Sequence, residues 1–403
     1  MIEFMRNRHV KYFTHCLKML LPSSCSSLDT NRLTLGFFSI SGLDVMGELD
    51  VVLTKIQKDE LIDWIYSHQI QLNSDGSNAN LVGFRGSSAS GSVQNDMNHI
   101  AMTYSALLSL LILGDDLGRV NKSNVIWALR SLQLQDGSFL ATHEGSESDM
   151  RFIYCASIIC YVLADWSGMD VHASVDFIRK SLTYEGAFAQ SPGLEAHGGS
   201  TYCAVASLVL MNRLSTTLSS KEIKRLLQWC MFRQESGFQG RPNKPVDTCY
   251  SFWVGATLKL LDSYSMIDKE ANRTYLMETQ DLIIGGFSKW PNHSPDALHA
   301  YFAICGLSLM NEPGLQQMQP ALNISVRAAH WLDNIHQDWK TRSVAGDPFL
   351  VPSLSPASLT PSSSSSLQQT SLISLSSLLT SLPLPTTLQT SPLTSWSTFA
   401  DNQ

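Results

Sequence analysis

The residues best suited to chemistry lie in one stretch, Gly240-Arg241-Pro242-Asn243-Lys244-Pro245-Val246-Asp247-Thr248-Cys249-Tyr250-Ser251-Phe252-Trp253. Two cations are followed within a few residues by a carboxylate and a thiol, and then by an apolar run. That order predicts a loop entering a helix, with Asp247 at the N-cap. Arg241 and Lys244 suit an oligo-anion such as a diphosphate. Asp247 and Cys249 suit zinc, which accepts both oxygen and thiolate ligands. An anion site abutting a thiolate–metal site points to a reaction in which a diphosphate leaves and a zinc-held nucleophile attacks. Read singly, each residue has an ordinary role: Cys249 in the core, Asp247 as a cap, Arg241 and Lys244 in a solvated loop. The pattern in the rest of the chain raises them to a candidate site.

That pattern is a repeat. Gly83-Phe84, Gly137-Ser138-Phe139, Gly186-Ala187-Phe188, Gly237-Phe238 and Gly286-Phe287 recur at a period of about 50 residues. After each Phe come a polar loop, a polar or acidic residue, and a helix rich in small and aromatic residues. These helices start near Asn98-His99, Asp149, His197, Asp247 and Asp296. A more polar helix, such as Glu222–Leu227, then leads to the next Gly-Phe. An apolar helix with no polar face must be buried on all sides. Five or six such pairs can close into a ring with the apolar helices inside; the same pairs could also stack as an open solenoid. Aromatics at repeated positions favour closure around a central cavity. His197, Asp247 and Asp296 each fall nine residues after a repeat Phe. Cys249 and His299 fall in the first turns of neighbouring inner helices, and Arg241, Lys244 and Lys289 in the loops before them. In a ring, all eight should meet at one mouth, where helix N-termini add anion affinity. Asp247, Cys249 and His299 then make three zinc ligands with a fourth place left for a substrate thiol, bound as thiolate. His293, in a Pro-flanked loop, is the competing histidine.

Other helices follow the same logic. Residues 3–21 read as an amphipathic helix with a basic polar face. Ser27-Leu28-Asp29-Thr30 is expected to cap a second helix from Arg32. Lys58–Ile65 reads as a third, with its acids early, where the helix dipole favours them. The 403-residue chain is 44% hydrophobic, which is ample for a large core. Charged residues are 16% and the net charge is −7, so no global basic excess argues for nucleic acid. Eight scattered cysteines without a CxxC pair, no secretory signal and no bilayer-length apolar run suggest a cytoplasmic protein that does not insert stably in membranes. Residues 1–344 read as one domain. Residues 345–403 are a Ser/Leu/Pro/Thr-rich tail whose prolines interrupt every apolar run, expected to be disordered.

At Gly240–Trp253, Leu194–Thr201, Asp149–Phe152 and Pro295–Phe302 the chain resembles the β subunits of protein prenyltransferases, those of the type I geranylgeranyl-transferring enzymes in particular. The likeness covers roughly residues 3–342. It implies an all-α fold, an α/α toroid, paired with a helical-repeat α subunit. It implies transfer of geranylgeranyl from geranylgeranyl diphosphate to the cysteine of C-terminal CaaX motifs, often with Leu last, on small GTPases. By resemblance the zinc ligands are Asp247, Cys249 and His299, and the diphosphate contacts are His197, Arg241, Lys244 and Tyr250. Lys289 falls where farnesyltransferases carry a magnesium-binding aspartate, which implies zinc dependence without magnesium dependence. Thr34 matches a small residue that leaves room for a fourth isoprene unit. Trp253, Tyr154 and Phe38 resemble lipid-pocket residues, with Arg151 beside lipid and peptide; ordinary aromatic packing is their alternative. Two rival readings are a farnesyl-specific enzyme, which Thr34 and Lys289 oppose, and a non-catalytic toroid that docks a partner or lipid. No DxDD or other Asp-rich motif of a terpene cyclase is present. The segment between Arg85 and His99 is shorter than the family loop, and the tail after Arg342 has no family likeness.

Overall fold

The computed structural model describes residues 3–19, 28, 30–88, 97–143 and 146–344. The tail from 345, Ser27 and Asp29 of the expected cap, and most of the shortened 85–99 segment lie outside the described residues. Helices of ten or more residues are numbered in chain order. They alternate between a polar one and an apolar one. The polar members are α1 (Arg6–Lys18), α3 (Lys55–Tyr66), α5 (Lys122–Ser131), α7 (Val171–Lys180), α9 (Ser220–Met231) and α11 (Lys269–Thr279). The apolar members are α2 (Arg32–Val45), α4 (Ile100–Leu113), α6 (Met150–Val162), α8 (Gly198–Leu210), α10 (Tyr250–Leu260) and α12 (Ala297–Leu309). A last helix, α13 (Val326–Val344), follows a short antiparallel pair, Met318–Gln319 with Ile324–Ser325.

The apolar helices pack in the cyclic order α2, α4, α6, α8, α10, α12 and back to α2. The open-solenoid alternative is thereby excluded. Six pairs close the ring, and α2, which has no Gly-Phe element ahead of it, supplies the sixth inner member. Every residue of α4 is buried, as a helix walled in on all sides must be. The outer helices carry the polar starts. Thr54 with Gln57 and Ser219 with Glu222 form capping boxes on α3 and α9. The box at Thr54 starts α3 a turn earlier than expected, so Asp59 and Glu60 fall in its second turn and not at its dipole end.

The repeat signal becomes a hydrogen-bond pattern. His197, Asp247 and Asp296 each donate their N–H back to the carbonyl of the Phe nine residues earlier, at 3.0, 3.0 and 3.3 Å. The loop two residues beyond each Phe then accepts from the start of the preceding inner helix. The pairs are Leu33 to Gly86, Ile100 to Ala141, Met150 to Gln190, Gly198 to Gly240 and Thr248 to Lys289, at 2.8–3.2 Å. Five neighbouring loops are thus stitched side by side on one rim, with the inner-helix N-termini beside them. Around the axis the rings of Phe37, Tyr104, Tyr154, Tyr202, Trp253, Phe302 and Phe38 follow one another, with adjacent centroids 4.1–6.0 Å apart. The 318–325 hairpin is bonded to tyrosines of the inner helices. The hydroxyls of Tyr154, Tyr202 and Tyr301 donate to the carbonyls of Ala321, Pro320 and Asn323.

Candidate metal and anion site

Four of the six inner helices begin on a side-chain cap. His99, Asp149, His197 and Asp296 accept N–H bonds from the first turns of α4, α6, α8 and α12. α10 differs from the expectation. Tyr250 and Ser251 donate to carbonyls three residues back, at Asp247 and Thr248, so the chain makes a tight turn before the α-helical ladder starts. The helix begins at Tyr250 and Cys249 is its N-cap, without a side-chain cap bond. Asp247 stands two residues outside. One of its oxygens, Oδ1, accepts the Cys249 N–H at 2.9 Å. This tight turn holds the carboxylate and the thiol together at the rim.

His299, in the first turn of α12, completes the group. Donor atoms of Asp247, Cys249 and His299 all lie within 4.8 Å of one another, close enough for one small cation to reach all three. His299 Nε2 is 3.4 Å from Asp247 Oδ1. The other ring nitrogen, Nδ1, is 2.6 Å from Asp296 Oδ2. That carboxylate holds the Nδ1 proton, so Nε2 is the nitrogen that would turn to a metal on losing its own proton, the arrangement that orients metal-binding histidines. A carboxylate, a thiol and an oriented imidazole form a donor set that fits zinc. Burial opposes charging His299, but Asp296 and Asp247 outweigh it and raise its pKa well above the usual value. Burial likewise opposes ionising Asp247, and His299, Cys249 and Lys289 together hold its carboxyl below the ordinary range. Burial and the Asp247 charge push the Cys249 thiol up to about 12. The protein alone therefore keeps this sulfur protonated at neutral pH. His293 is exposed, with Nδ1 at 3.0 Å from the Pro291 carbonyl, and is not part of the cluster.

Beside the cluster lies a groove lined by Gly240, Arg241, Lys244, Pro245, Asp247, Tyr250, Lys289 and Trp290. Three cations face it. Lys289 Nζ is 3.9 Å from Asp247 and 4.3 Å over the Trp290 ring. Tyr250 links the groove to His197. The imidazole Nδ1 of His197 accepts from the N–H groups of Gly199 and Ser200, so its proton sits on Nε2, 2.9 Å from the Tyr250 hydroxyl. Burial and the nearby Arg241 lower the His197 pKa to about 4, so it stays neutral. The ring donates to the phenol oxygen, and the phenol hydrogen remains for an acceptor in the groove. Burial raises the Tyr250 pKa well above 10, so the phenol stays a donor. Gly240 admits the ring; a Cβ there would sit 2.1 Å from it.

A second, narrow pocket adjoins, lined by Arg151, Gln190, His197, Gly199, Ser200, Cys203 and Trp253. Its cation is held in place. Arg151 donates to both oxygens of Asp149 and to Glu147, and Gln190 donates to Asp149 at 2.7 Å. The structure thus gathers the eight residues expected at one mouth, together with Tyr250, Arg151 and Trp253. Thr34, Phe38 and Tyr154 line neither cavity. Thr34 is buried against Met102 and Ser105, Phe38 stacks on Tyr301, and Tyr154 bonds Tyr202 and the hairpin. Sequence reading assigned no role to Gln190, although it occupies the same stitched position as Gly240 and Lys289. It also gave Asp296 no task beyond starting a helix, although its place three residues before His299 signals one.

The chain is similar to known proteins over most of its length. The profile of the prenyltransferase alpha-alpha toroid domain matches residues 4–324. The geranylgeranyl transferase type-1 subunit beta of Arabidopsis thaliana is 40% identical over 345 residues, 81% of this chain and 90% of that protein. The corresponding subunit of Dictyostelium discoideum is 39% identical, covering 81% and 97%. Among solved structures, Candida albicans protein geranylgeranyltransferase-I complexed with GGPP aligns with a TM-score of 0.74 at 26% identity, over 83% of this chain and 99% of that one.

Proposed function

The chain belongs to the prenyltransferase alpha-alpha toroid family, in the branch of the geranylgeranyl transferase type-1 β subunits, and on that premise we propose how its rim performs the transfer. The reaction moves a geranylgeranyl group from geranylgeranyl diphosphate to the cysteine of a C-terminal CaaX motif, with Leu favoured last, on small GTPases. The chain works as the catalytic subunit beside a helical-repeat α subunit, in the cytoplasm. The observation that carries this is the meeting of the Asp247–Cys249–His299 group with a three-cation groove on one stitched rim.

In this reading Asp247, Cys249 and His299 hold zinc, with Asp296 fixing the His299 tautomer. A zinc ion held there would supply the Lewis acidity that lets a substrate thiol act as thiolate at neutral pH. Arg241, Lys244, Tyr250 and His197 receive the diphosphate. Their donors face charge that grows on the leaving group, so they bind the transition state more tightly than the ground state. Lys289 adds a fixed positive charge where a divalent ion would otherwise be needed, so magnesium is not required. Trp253, which lines the second pocket, packs the lipid, and the buried Phe38 and Tyr154 back it in the girdle through Phe302 and Tyr202. Arg151, clamped by Asp149 and Glu147, marks the boundary between lipid and peptide. Thr34, small and near the start of α2, leaves room for the fourth isoprene unit.

The decisive experiment uses the chain co-expressed with its α subunit. Cys249→Ala should lose bound zinc and turnover of a CaaL peptide while still binding geranylgeranyl diphosphate. Unchanged turnover by the purified variant would refute the metal role. Competition between geranylgeranyl and farnesyl diphosphates should favour the longer lipid; preference for farnesyl would select the farnesyl-specific reading instead.

A further inference from the structure

Arg241 faces the groove, yet its guanidinium already has an anionic partner: Nη1 donates to Oε1 of Glu195. The two side chains come from consecutive loops of the rim, which the Gly198 N–H to Gly240 carbonyl bond holds side by side at 2.8 Å. Glu195 lies seven residues after Phe188. The matching positions after Phe238 and Phe287 are Pro245 and Ser294. The loop therefore does not need a carboxylate to form. The Glu195 side chain is 57% exposed and that of Arg241 25%, so solvent and ligands can reach both.

We propose that Glu195 is a built-in competitor for the Arg241 guanidinium, releasing it only when a diphosphate takes it over. This rests on reading the groove as the diphosphate site. A carboxylate and a phosphate are alternative acceptors for the same guanidinium donors. While the pair is closed, guanidinium donors of Arg241 are already occupied, and the net positive charge of the groove is lower by one. Both effects weaken retention of an anion and so favour departure of inorganic pyrophosphate after transfer. Exposed pairs of this kind change an equilibrium by only about two- to fivefold, small enough for a ligand to exchange readily.

The test is inhibition by inorganic pyrophosphate, measured on the complex with the α subunit for wild type, Glu195→Gln, Arg241→Ala and the double variant. Glu195→Gln should lower the inhibition constant about two- to fivefold and lower KM for geranylgeranyl diphosphate in parallel. The gain should vanish when Arg241 is already Ala, because the competitor then has nothing to release. An unchanged or raised constant in Glu195→Gln, with Arg241→Ala weakening inhibition as expected, overturns the proposal and leaves the groove assignment standing. An equal gain in both backgrounds also overturns it, because the effect is then a general field and not this pair. If Arg241→Ala leaves pyrophosphate inhibition untouched, the groove assignment fails, and the proposal with it.

Discussion

At the residue scale, the rim works by fixing protons before any ligand arrives. Two backbone N–H groups occupy His197 Nδ1, so the proton must sit on Nε2 and point at Tyr250. That leaves the Tyr250 hydroxyl one free donor, facing the groove. Tyr250→Phe keeps the ring that packs over Gly240 and removes this donor together with the acceptor of the His197 Nε2 proton. A hydrogen bond to a charged acceptor is worth about 1.5–3 kcal/mol, so kcat should fall roughly ten- to hundredfold. KM for the lipid should change less, because the bond strengthens as charge grows on the diphosphate; an unchanged kcat in single-turnover experiments would remove Tyr250 from the mechanism. Lys289 makes a complementary prediction. Its ammonium is fixed between Asp247 and the Trp290 ring. Lys289→Asp should slow the reaction and make it respond to magnesium, whereas a flat magnesium titration would show that the ammonium does not stand in for a metal. These roles were unequally legible. Asp247, Cys249 and the cations show themselves by charge and ligand type. Tyr250 sits in an apolar run where a tyrosine signals nothing, and only family resemblance singled it out. The choice between His293 and His299 followed from helix placement, and the geometry explains it, since Asp296 can orient His299 alone.

At the element scale, the rim exists because each loop leans on its neighbour, and the glycines of the repeat let it do so. Gly137 has φ +93°, and a Cβ there would sit 2.0 Å from the carbonyl oxygen of Ala173 in α7. Gly137→Ala must therefore combine left-handed strain with a backbone clash against the outer helix of the next pair. The strain alone costs about 1–2 kcal/mol, and the clash adds to it, so stability should drop by at least about 2 kcal/mol. Denaturant unfolding of the αβ complex checks this, and a loss below about 0.5 kcal/mol would mean that the outer layer yields easily. The Gly-Phe repeat was readable because it combines a backbone demand with a buried ring at a fixed phase. Two features were not readable. The tight turn before α10 moves the helix start from Asp247 to Tyr250, and nothing local distinguishes that from an Asp cap. The 318–325 hairpin fits no repeat, and its place depends on tyrosine hydroxyls from three separate inner helices.

At the scale of the whole molecule, closure brings the first helices against the last. α2 packs on α12, and α1 docks on the final Gly-Phe turn. The fastening is His9, which is fully buried. Its ring stacks on Phe287 at 4.4 Å; Nδ1 accepts the Gly286 N–H at 3.0 Å, and Nε2 lies 3.2 Å from the Gln280 side-chain oxygen. Sequence alone gave no hint of this, because the partners are more than 270 residues away. Neutral imidazole satisfies both contacts; a proton on Nδ1 would point at the Gly286 N–H. Burial accordingly lowers the His9 pKa from 6.5 to about 4, and the same cause places His99 and His197 at about 4. The folded values lie below the unfolded one, so the unfolded chain binds more protons between them. The stability these histidines contribute is full above about pH 6.5 and is lost as pH falls toward 4. For His9 alone the loss is on the order of 3 kcal/mol. These three histidines should therefore make the melting temperature fall steadily below pH 6.5, with proton uptake on unfolding. His9→Asn keeps a side-chain acceptor but cannot titrate in this range, so it should melt lower at pH 7.5 and lose less on acidification. A variant as acid-sensitive as the wild type would mean that the closure of the ring does not depend on the charge state of His9.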